Sequence, residues 1–442
     1  MAGFRAIIVG GGPAGLFTAH ALAAAGIDFV VLERQPEIVR FRGALLVLWP
    51  PFVRLMDQLG LYKPALQYST RFTTKTNFTH SGEPLCSGPV FAAIEDELGY
   101  PTIALSRGNL LRVLYENLPG RDTNVRANAH VVKIETNKDG VRVHLADGSV
   151  VDGSVVIAAD GVHSPARELI QRLGNGSSTS SDSKPTSPMI PGYLSLFGHT
   201  RGIREDIALG DFAESHGPGT ASQSTRLHDT MYFTVLKRLE GPATEKTKFT
   251  PEDVDKFAEE MSDVTIFPGI KLKEIWPRRE SANVVLLHQE EGVAEKWYHG
   301  RVVIVGDAAH KMTSVNGQGA ASATLSAATL VNNLRATLSK NPEPSTEDLE
   351  ATFAKYEASR KGAATGVVNM GIWVTRFITW TDKENEAQDR KASSVNDMAK
   401  EAVNKFVPSF SKSPILDFVP FESEQGNTPW EVKSQMPARP QL

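Results

Sequence analysis

Gly10-x-Gly12-x-x-Gly15 stands between a short apolar run, Ala6-Ile7-Ile8-Val9, and an alanine-rich stretch from Pro13 to Ala25. Glycines at this spacing can cradle a phosphate. Gly10 permits a tight turn, Gly12 lets the backbone approach a pyrophosphate, and Gly15 lets the following helix pack close to the strand. Pro13 and Ala14 open that helix, whose N-terminal amides would face the phosphates. Glu33 follows at the spacing of about 20 residues expected of an acid that binds a ribose diol, with Arg34 beside it. A carboxylate there repels a 2′-phosphate, which leaves NAD or FAD as the tight occupant.

Two further segments carry chemistry. Asp160-Gly161 lies in Ala-Ala-Asp-Gly-Val-His-Ser-Pro-Ala-Arg, after the apolar run Val155–Ala159. Gly306-Asp307-Ala308-Ala309-His310 follows the strand signal Arg301–Val305, and Gly317-Gln318-Gly319-Ala320 then opens a small-residue helix. Asp307 can accept a hydrogen bond from a polyol hydroxyl, and the amides at Gly319 can face an anion. Three strand ends, each bearing Gly or Asp, would converge on one crevice of a parallel sheet.

The elements that must position these residues follow from periodicity. A βαβ unit opens the chain, with a helix over 13–25 ended by Gly26. Residues 72–100 read as extended and mixed, and 106–118 as a helix. Residues 125–153 alternate like antiparallel strands, with turns at Lys138-Asp139-Gly140 and Asp147-Gly148. Residues 174–189 read as a solvated excursion, 192–197 and 231–236 as strands, and 251–261, 319–334 and 346–380 as helices. The final sixty or so residues read as polar and poorly periodic.

Composition narrows the class. The chain has 442 residues, more than one ordinary domain, with 41 % hydrophobic and 22 % charged residues and a formal net charge of −4. That balance gives no global reason to bind nucleic acid. The single cysteine, Cys86, excludes intramolecular disulfides and multi-cysteine metal sites and fits a reducing, cytoplasmic setting. No metal-ligand spacing, HExxH or GxSxG is present, and no apolar run reaches membrane-span length. The opening is read as a strand, not a signal peptide. The run of large apolar residues from Val367 to Trp380 reads as inter-lobe packing, with peripheral membrane or partner contact as the other reading.

In its three motifs, in order, the sequence resembles the single-component, aromatic-hydroxylase-type FAD-dependent monooxygenases, and within them fungal epoxidases and hydroxylases of natural-product pathways. The matching residues are Gly10–Gly15 with Glu33, Asp160-Gly161 with Ser164 and Arg167, and Gly306–His310 with Gly317-Gln318-Gly319. The resemblance implies an α/β fold: a Rossmann-like FAD lobe from 1–70, 102–172 and 286–345, and an interleaved mixed-sheet substrate lobe from 71–101 and 173–285. Residues 346–442 would form C-terminal helices and a polar tail.

It also implies roles. Glu33 would bind the adenosine ribose, Arg107 would contact FAD, and Asp307, with Ala308, would hold the ribityl or pyrophosphate part. Asp160 would serve both FAD and a passing NADPH or NADH, and Gly43-Ala44 would run beside the flavin. Oxygen transfer would be the flavin's own C4a-hydroperoxide chemistry, with no side-chain nucleophile. Arg42 is the one candidate for direct participation, against the reading of a solvated loop arginine. His310 reads as structural. Phe197, Tyr232, Phe233 and Val235 are the expected pocket lining for a large, apolar, polycyclic substrate. Three positions depart from the family pattern: Ser314 for a proline, Ala321 for an asparagine and Ser326 for an acid. These keep open a flavin-binding protein without oxygenase activity, such as a cyclase, an isomerase or a protein with structural flavin. A flavin-dependent halogenase is a further alternative, though its tryptophan motif is missing. The number of subunits is left open.

Overall fold

A computed structural model describes residues 3–41, 43, 45–174, 187–202, 207–241, 248–395 and 397–434. Two sheets organise the chain. The first has six strands in the order Tyr298–His299, Val302–Ile304, Val155–Ala158, Arg5–Val9, Asp28–Leu32 and Val125–Arg126, parallel except at the Tyr298–His299 edge. Its central strands are apolar on both faces because helices cover both, as a parallel sheet requires. The helix Pro13–Ala25 packs on Gly319–Leu338 and ends at Gly26, whose φ of 69° is the left-handed C-cap expected of it. This is the Rossmann-like lobe.

The second sheet has eight strands. Their order is His310–Lys311, Val285–Val293, Ile190–Arg201, Thr230–Arg238, Thr220–Leu227, Asp211–Gly217, Thr74–Thr79 and Pro84–Gly88. It is mixed, because Asp211–Gly217 runs parallel to Thr74–Thr79 while its other pairs are antiparallel. One face carries a core of Leu196, Met231, Phe233 and Val235 under Phe257 and Leu272. The strand Val285–Val293 pairs with Ile190–Arg201, so this sheet extends past residue 285, where the sequence reading ended it. A three-stranded meander, Val131–Thr136, Val141–Leu145 and Val150–Gly153, follows the alternation and turns read from the sequence.

Other expectations need correction. Residues 90–98, read as extended, form the helix Val90–Leu98, and the strands Asp211–Gly217 and Thr220–Leu227 carried no clear signal. As far as residue 434 the C-terminal region is not a polar tail. Helices Lys383–Val395 and Met398–Phe410 lead into an irregular strap in which Ile415, Leu416, Phe418 and Trp430 join the main core. Trp430 lies under the Arg54 guanidinium at 4.3 Å and donates its indole N–H to Leu98 O at 2.9 Å. Gln58 exchanges hydrogen bonds with Leu416 in both directions, at 2.7 and 2.9 Å. The excursion read at 174–189 falls mostly outside the described residues.

The long helix Thr346–Ile378 opens with a Ser345/Asp348 capping box and fastens the two sheets together. Val374, Phe377 and Ile378 pack with Tyr193, Ala221, Leu236 and Val315, as the packing reading expects. Trp373 stays 51 % exposed, stacked on Phe377. No helix among the described residues is long and apolar enough to cross a membrane.

Candidate active site

The first strand ends in a turn at Gly10, φ 108°, where a Cβ would lie 2.4 Å from Ala159 O. A Cβ on Gly15 would lie 1.9 Å from Gly10 O, so helix and strand approach more closely than any side chain permits. Gly12 caps the helix in extended backbone without a side-chain cap, and a Cβ there would meet only Arg107 Nη2, at 3.9 Å. The helix N-terminus is therefore open, with Pro13 at its first position and several amides unclaimed. Beside Ala14 lies Gly306, φ 64°, where an added Cβ would sit 3.0 Å from the Ala14 methyl. This close packing joins the first and third motifs.

Glu33 is 6 % exposed and caps the turn. Its Oε2 accepts the Gly11 N–H at 2.7 Å and its Oε1 the Gln35 N–H at 2.9 Å, with Arg40 Nη2 at 3.7 Å. Arg34 is exposed. Arg107 starts the helix Arg107–Glu116, whose Ser106 hydroxyl accepts the Asn109 N–H at 3.1 Å. Pairing of Leu45 with Ser106 brings Gly43 beside Arg107. Burial pulls the Arg107 guanidinium below its usual pKa and Arg40 adds to this, while the Glu33 and Asp307 carboxylates oppose it. Arg42 and Ala44 lie outside the described residues.

Asp160 accepts the Ala166 N–H on Oδ2 at 3.2 Å, and its Oδ1 is buried without a partner. Burial pushes this carboxyl up. Arg167 is structural. Its Nη1 donates to Ala308 O at 3.0 Å and its Nη2 to Val162 O at 2.6 Å, stapling the second motif to the third. Asp307 pairs with Lys311 at 3.2 Å. Gly317, φ 62°, leads through Gly319 and Ala320 into a second helix whose N-terminus has no side-chain cap, and a Cβ on Gly319 would meet nothing within 4 Å. His310 is buried against Trp297, with Nε2 at 3.0 Å from Ser326 Oγ. Burial, then the nearby Arg360, lower its pKa to about 4, so it is neutral near pH 7 and fits the structural reading. Among the described residues no group of three or more His, Cys, Asp or Glu side chains is arranged to hold a metal ion.

The crevice thus combines two open helix N-termini, buried carboxylates and a guanidinium without a hydrogen-bond partner among the described residues. An orphaned buried Asp160 oxygen and a cradle at Gly12 and Gly319 suit an extended polyol diphosphate. The eight-stranded sheet presents Phe197 and Tyr232 on one face, with Thr234 directly opposite Phe197 and the Tyr232 ring beside Ser106. Phe233 and Val235 do not belong with them. Side chains alternate along a strand, and both pack on the far face against Phe257 and Leu272.

The sequence reading missed a buried ionic cluster on the Phe197 face. Glu214 Oε1 lies 2.6 Å from Lys75 Nζ and 3.1 Å from His216 Nε2, and His216 Nδ1 lies 2.6 Å from Asp389 Oδ2. Gln223 Nε2 donates to Glu214 Oε2 at 2.7 Å. The only available signal was Glu214 and His216 two residues apart, which share a face only once the segment is known to be a strand.

An FAD binding domain family model matches residues 4–370. The FAD-dependent monooxygenase srdH of Neurospora crassa is 36 % identical over 97 % of this chain and 99 % of its own length. The FAD-dependent monooxygenase esdpE of Penicillium shearii is 34 % identical over 84 % of this chain and 78 % of its own. The chain belongs to the FAD-dependent monooxygenases. Its fold matches that of Klebsiella pneumoniae HpxO, solved with FAD and uric acid, at a TM-score of 0.75 and 24 % identity, covering 93 % of this chain and 97 % of that one.

For this monooxygenase, Glu33→Ala strands the Gly11 and Gln35 amides and removes the carboxylate at the turn. Hydrogen bonds to a charged group contribute about 1.5–3 kcal/mol, so FAD affinity is expected to fall roughly tenfold or more. Titration of apoprotein with FAD checks this, and unchanged affinity would contradict the expectation that Glu33 serves the cofactor.

Proposed function

We propose that the monooxygenase uses NADPH or NADH and O2 to insert one oxygen atom, by hydroxylation or epoxidation, into a large, apolar, polycyclic secondary-metabolite intermediate. The observation that carries this is the Phe197–Tyr232 face of the eight-stranded sheet, which adjoins Ser106 at the rim of the cofactor crevice. Bound FAD supplies the two-electron acceptor for the nicotinamide and the activation of O2. The amides around Gly12 and Gly319 would hold its pyrophosphate and ring oxygens, Glu33 its ribose, and Arg107, Asp307 and the Gly43 loop its middle. Asp160 would stand where the nicotinamide passes. A single nucleotide fingerprint supports transient rather than stored nicotinamide. Phe197 and Tyr232 would exclude water and orient the substrate, which is the protein's share of the rate.

The same proposal divides the chain into the FAD lobe of 1–70, 102–172 and 286–345, less the strand Val285–Val293, and a substrate lobe completed by that strand. It also sets the enzyme in the cytoplasm, with Trp373 as the point of any peripheral membrane contact.

The test begins with purified protein mixed anaerobically with NADPH or NADH, where bleaching of the yellow flavin is expected. Incubation with a panel of terpenoid and polyketide intermediates under 18O2 should then add one labelled oxygen to a product. A flavin inert to both nicotinamides with every candidate substrate present would overturn the proposal, and halogenated product in chloride buffer without 18O incorporation would favour a halogenase.

A further inference from the structure

The turn from Ser314 to Gly317 is held by side chains from elsewhere in the chain at three successive residues. Gln289 Oε1 accepts the Ser314 N–H at 2.9 Å, Gln223 Nε2 donates to Val315 O at 2.8 Å, and Trp49 Nε1 donates to Asn316 O at 3.3 Å. Two of the three come from the eight-stranded sheet. Gln223 spans two groups, since the same amide nitrogen also donates to Glu214 Oε2 at 2.7 Å. Behind Glu214 stand Lys75, His216 and Asp389, and Asp389 also accepts the Trp380 indole N–H at 2.8 Å. Trp380, two residues past the end of the long helix, has a φ of 37°, a strained value for a bulky residue, and makes this bond. The path runs unbroken from the long helix, through a buried ionic cluster, to the turn that opens onto Gly319.

We propose that Gln223 is a positioning residue for the oxygenation reaction: it fixes the Ser314–Gly317 turn, and with it the cofactor-facing amides, at a set distance from the substrate-binding sheet. This rests on the FAD and substrate assignments above. Ser314 places no covalent restraint of its own on the backbone of the turn, and the sheet's two glutamines supply one. Gln223 has no freedom of its own, because the Glu214 carboxylate is locked from its other side.

The test is Gln223→Met, close in volume but without donors, measured as FAD-loaded holoenzyme beside wild type. A comparator, Phe233→Leu, loosens the far face of the same sheet without touching the turn. Gln223→Met is expected to shift or reshape the bound flavin's visible absorption and to lower kcat roughly tenfold or more at little-changed KM, since a misplacement of about 1 Å can cost a hundredfold. Oxygenated product per NAD(P)H consumed should fall with it. Phe233→Leu should lower Tm and leave the spectrum and that ratio in place. Should Gln223→Met not fold, Gln223→Asn, one methylene too short to reach both partners, gives the same readouts. An unchanged spectrum and an unchanged product ratio in the folded variant would overturn the inference. Wild-type protein that never takes up FAD, or never consumes NAD(P)H, would overturn the underlying functional reading instead.

Discussion

Gly15→Ala is expected to purify colourless. The added methyl carbon would sit 1.9 Å from the Gly10 carbonyl oxygen, backbone against backbone, with no flexible side chain to give way. The helix Pro13–Ala25 has to lift from the strand, and overpacking of this kind costs about 1–3 kcal/mol. The larger loss falls on the cofactor. The amides after Gly12 leave their place, and FAD affinity should drop roughly a hundredfold or more, as misplaced groups in a preorganised site do. Gly26→Ala is the control. Its methyl meets nothing within 4 Å, so it carries only the left-handed strain of about 1–2 kcal/mol and should stay yellow. Flavin absorbance per protein decides the matter, and a fully loaded Gly15→Ala protein would show that the close approach at the fingerprint does not govern FAD binding.

Glu214→Ala is expected to lower unfolding stability by about 3–5 kcal/mol, because it leaves the Lys75 ammonium and the His216 imidazolium together in the interior without their shared carboxylate. The effect should depend on pH. Burial alone would raise the Glu214 carboxyl, yet Lys75 and His216 reverse this and hold it below the usual carboxylate range. Its contribution is therefore present above an unfolded value of about 4.3 and fades as pH falls. His216 runs the other way. Burial lowers its pKa, but Asp389 and Glu214 outweigh this and raise it above the usual imidazole value of about 6.5. Its contribution is complete below that value and is lost as pH rises through the raised one. Denaturant unfolding of wild type and Glu214→Ala should show the widest gap from about pH 5 to 6.5, narrowing on the acid side. A gap that does not vary with pH would contradict the charged form of the cluster.

What could be read from sequence was the part governed by local rules. The placement of Gly10, Gly12, Gly15, Glu33, Asp160 and Asp307 at the ends of neighbouring strands was legible because tight turns and buried strand ends leave few residue types able to stand there. The parallel strands, buried on both faces, read as plain apolar runs. Phe233 and Val235 failed because alternation tells that neighbouring residues face opposite ways, not which face looks toward the crevice. Glu214, His216 and Gln223 failed for a different reason. Their meaning comes from Lys75, Asp389 and Val315, which are remote in the chain. Val90–Leu98 took its helical form partly from the strap behind Gly99, where an added Cβ would strike Gln425. No local pattern records that contact.

The strap that seats Trp430 beneath Arg54 has a consequence for synthesis. The slot formed by Arg54, Gln58 and Tyr100 is made before residue 101, and its occupants, Leu416 and Trp430, leave the ribosome more than 300 residues later. The parallel sheet behaves alike, since Arg5–Val9 waits for Val155–Ala158 and that strand for Val302–Ile304. A nascent chain therefore carries an incomplete core until Trp430 has emerged, with apolar surface open to chaperones and to other nascent chains. Yield in a heterologous host should respond more to growth temperature and chaperone supply than to changes in surface charge.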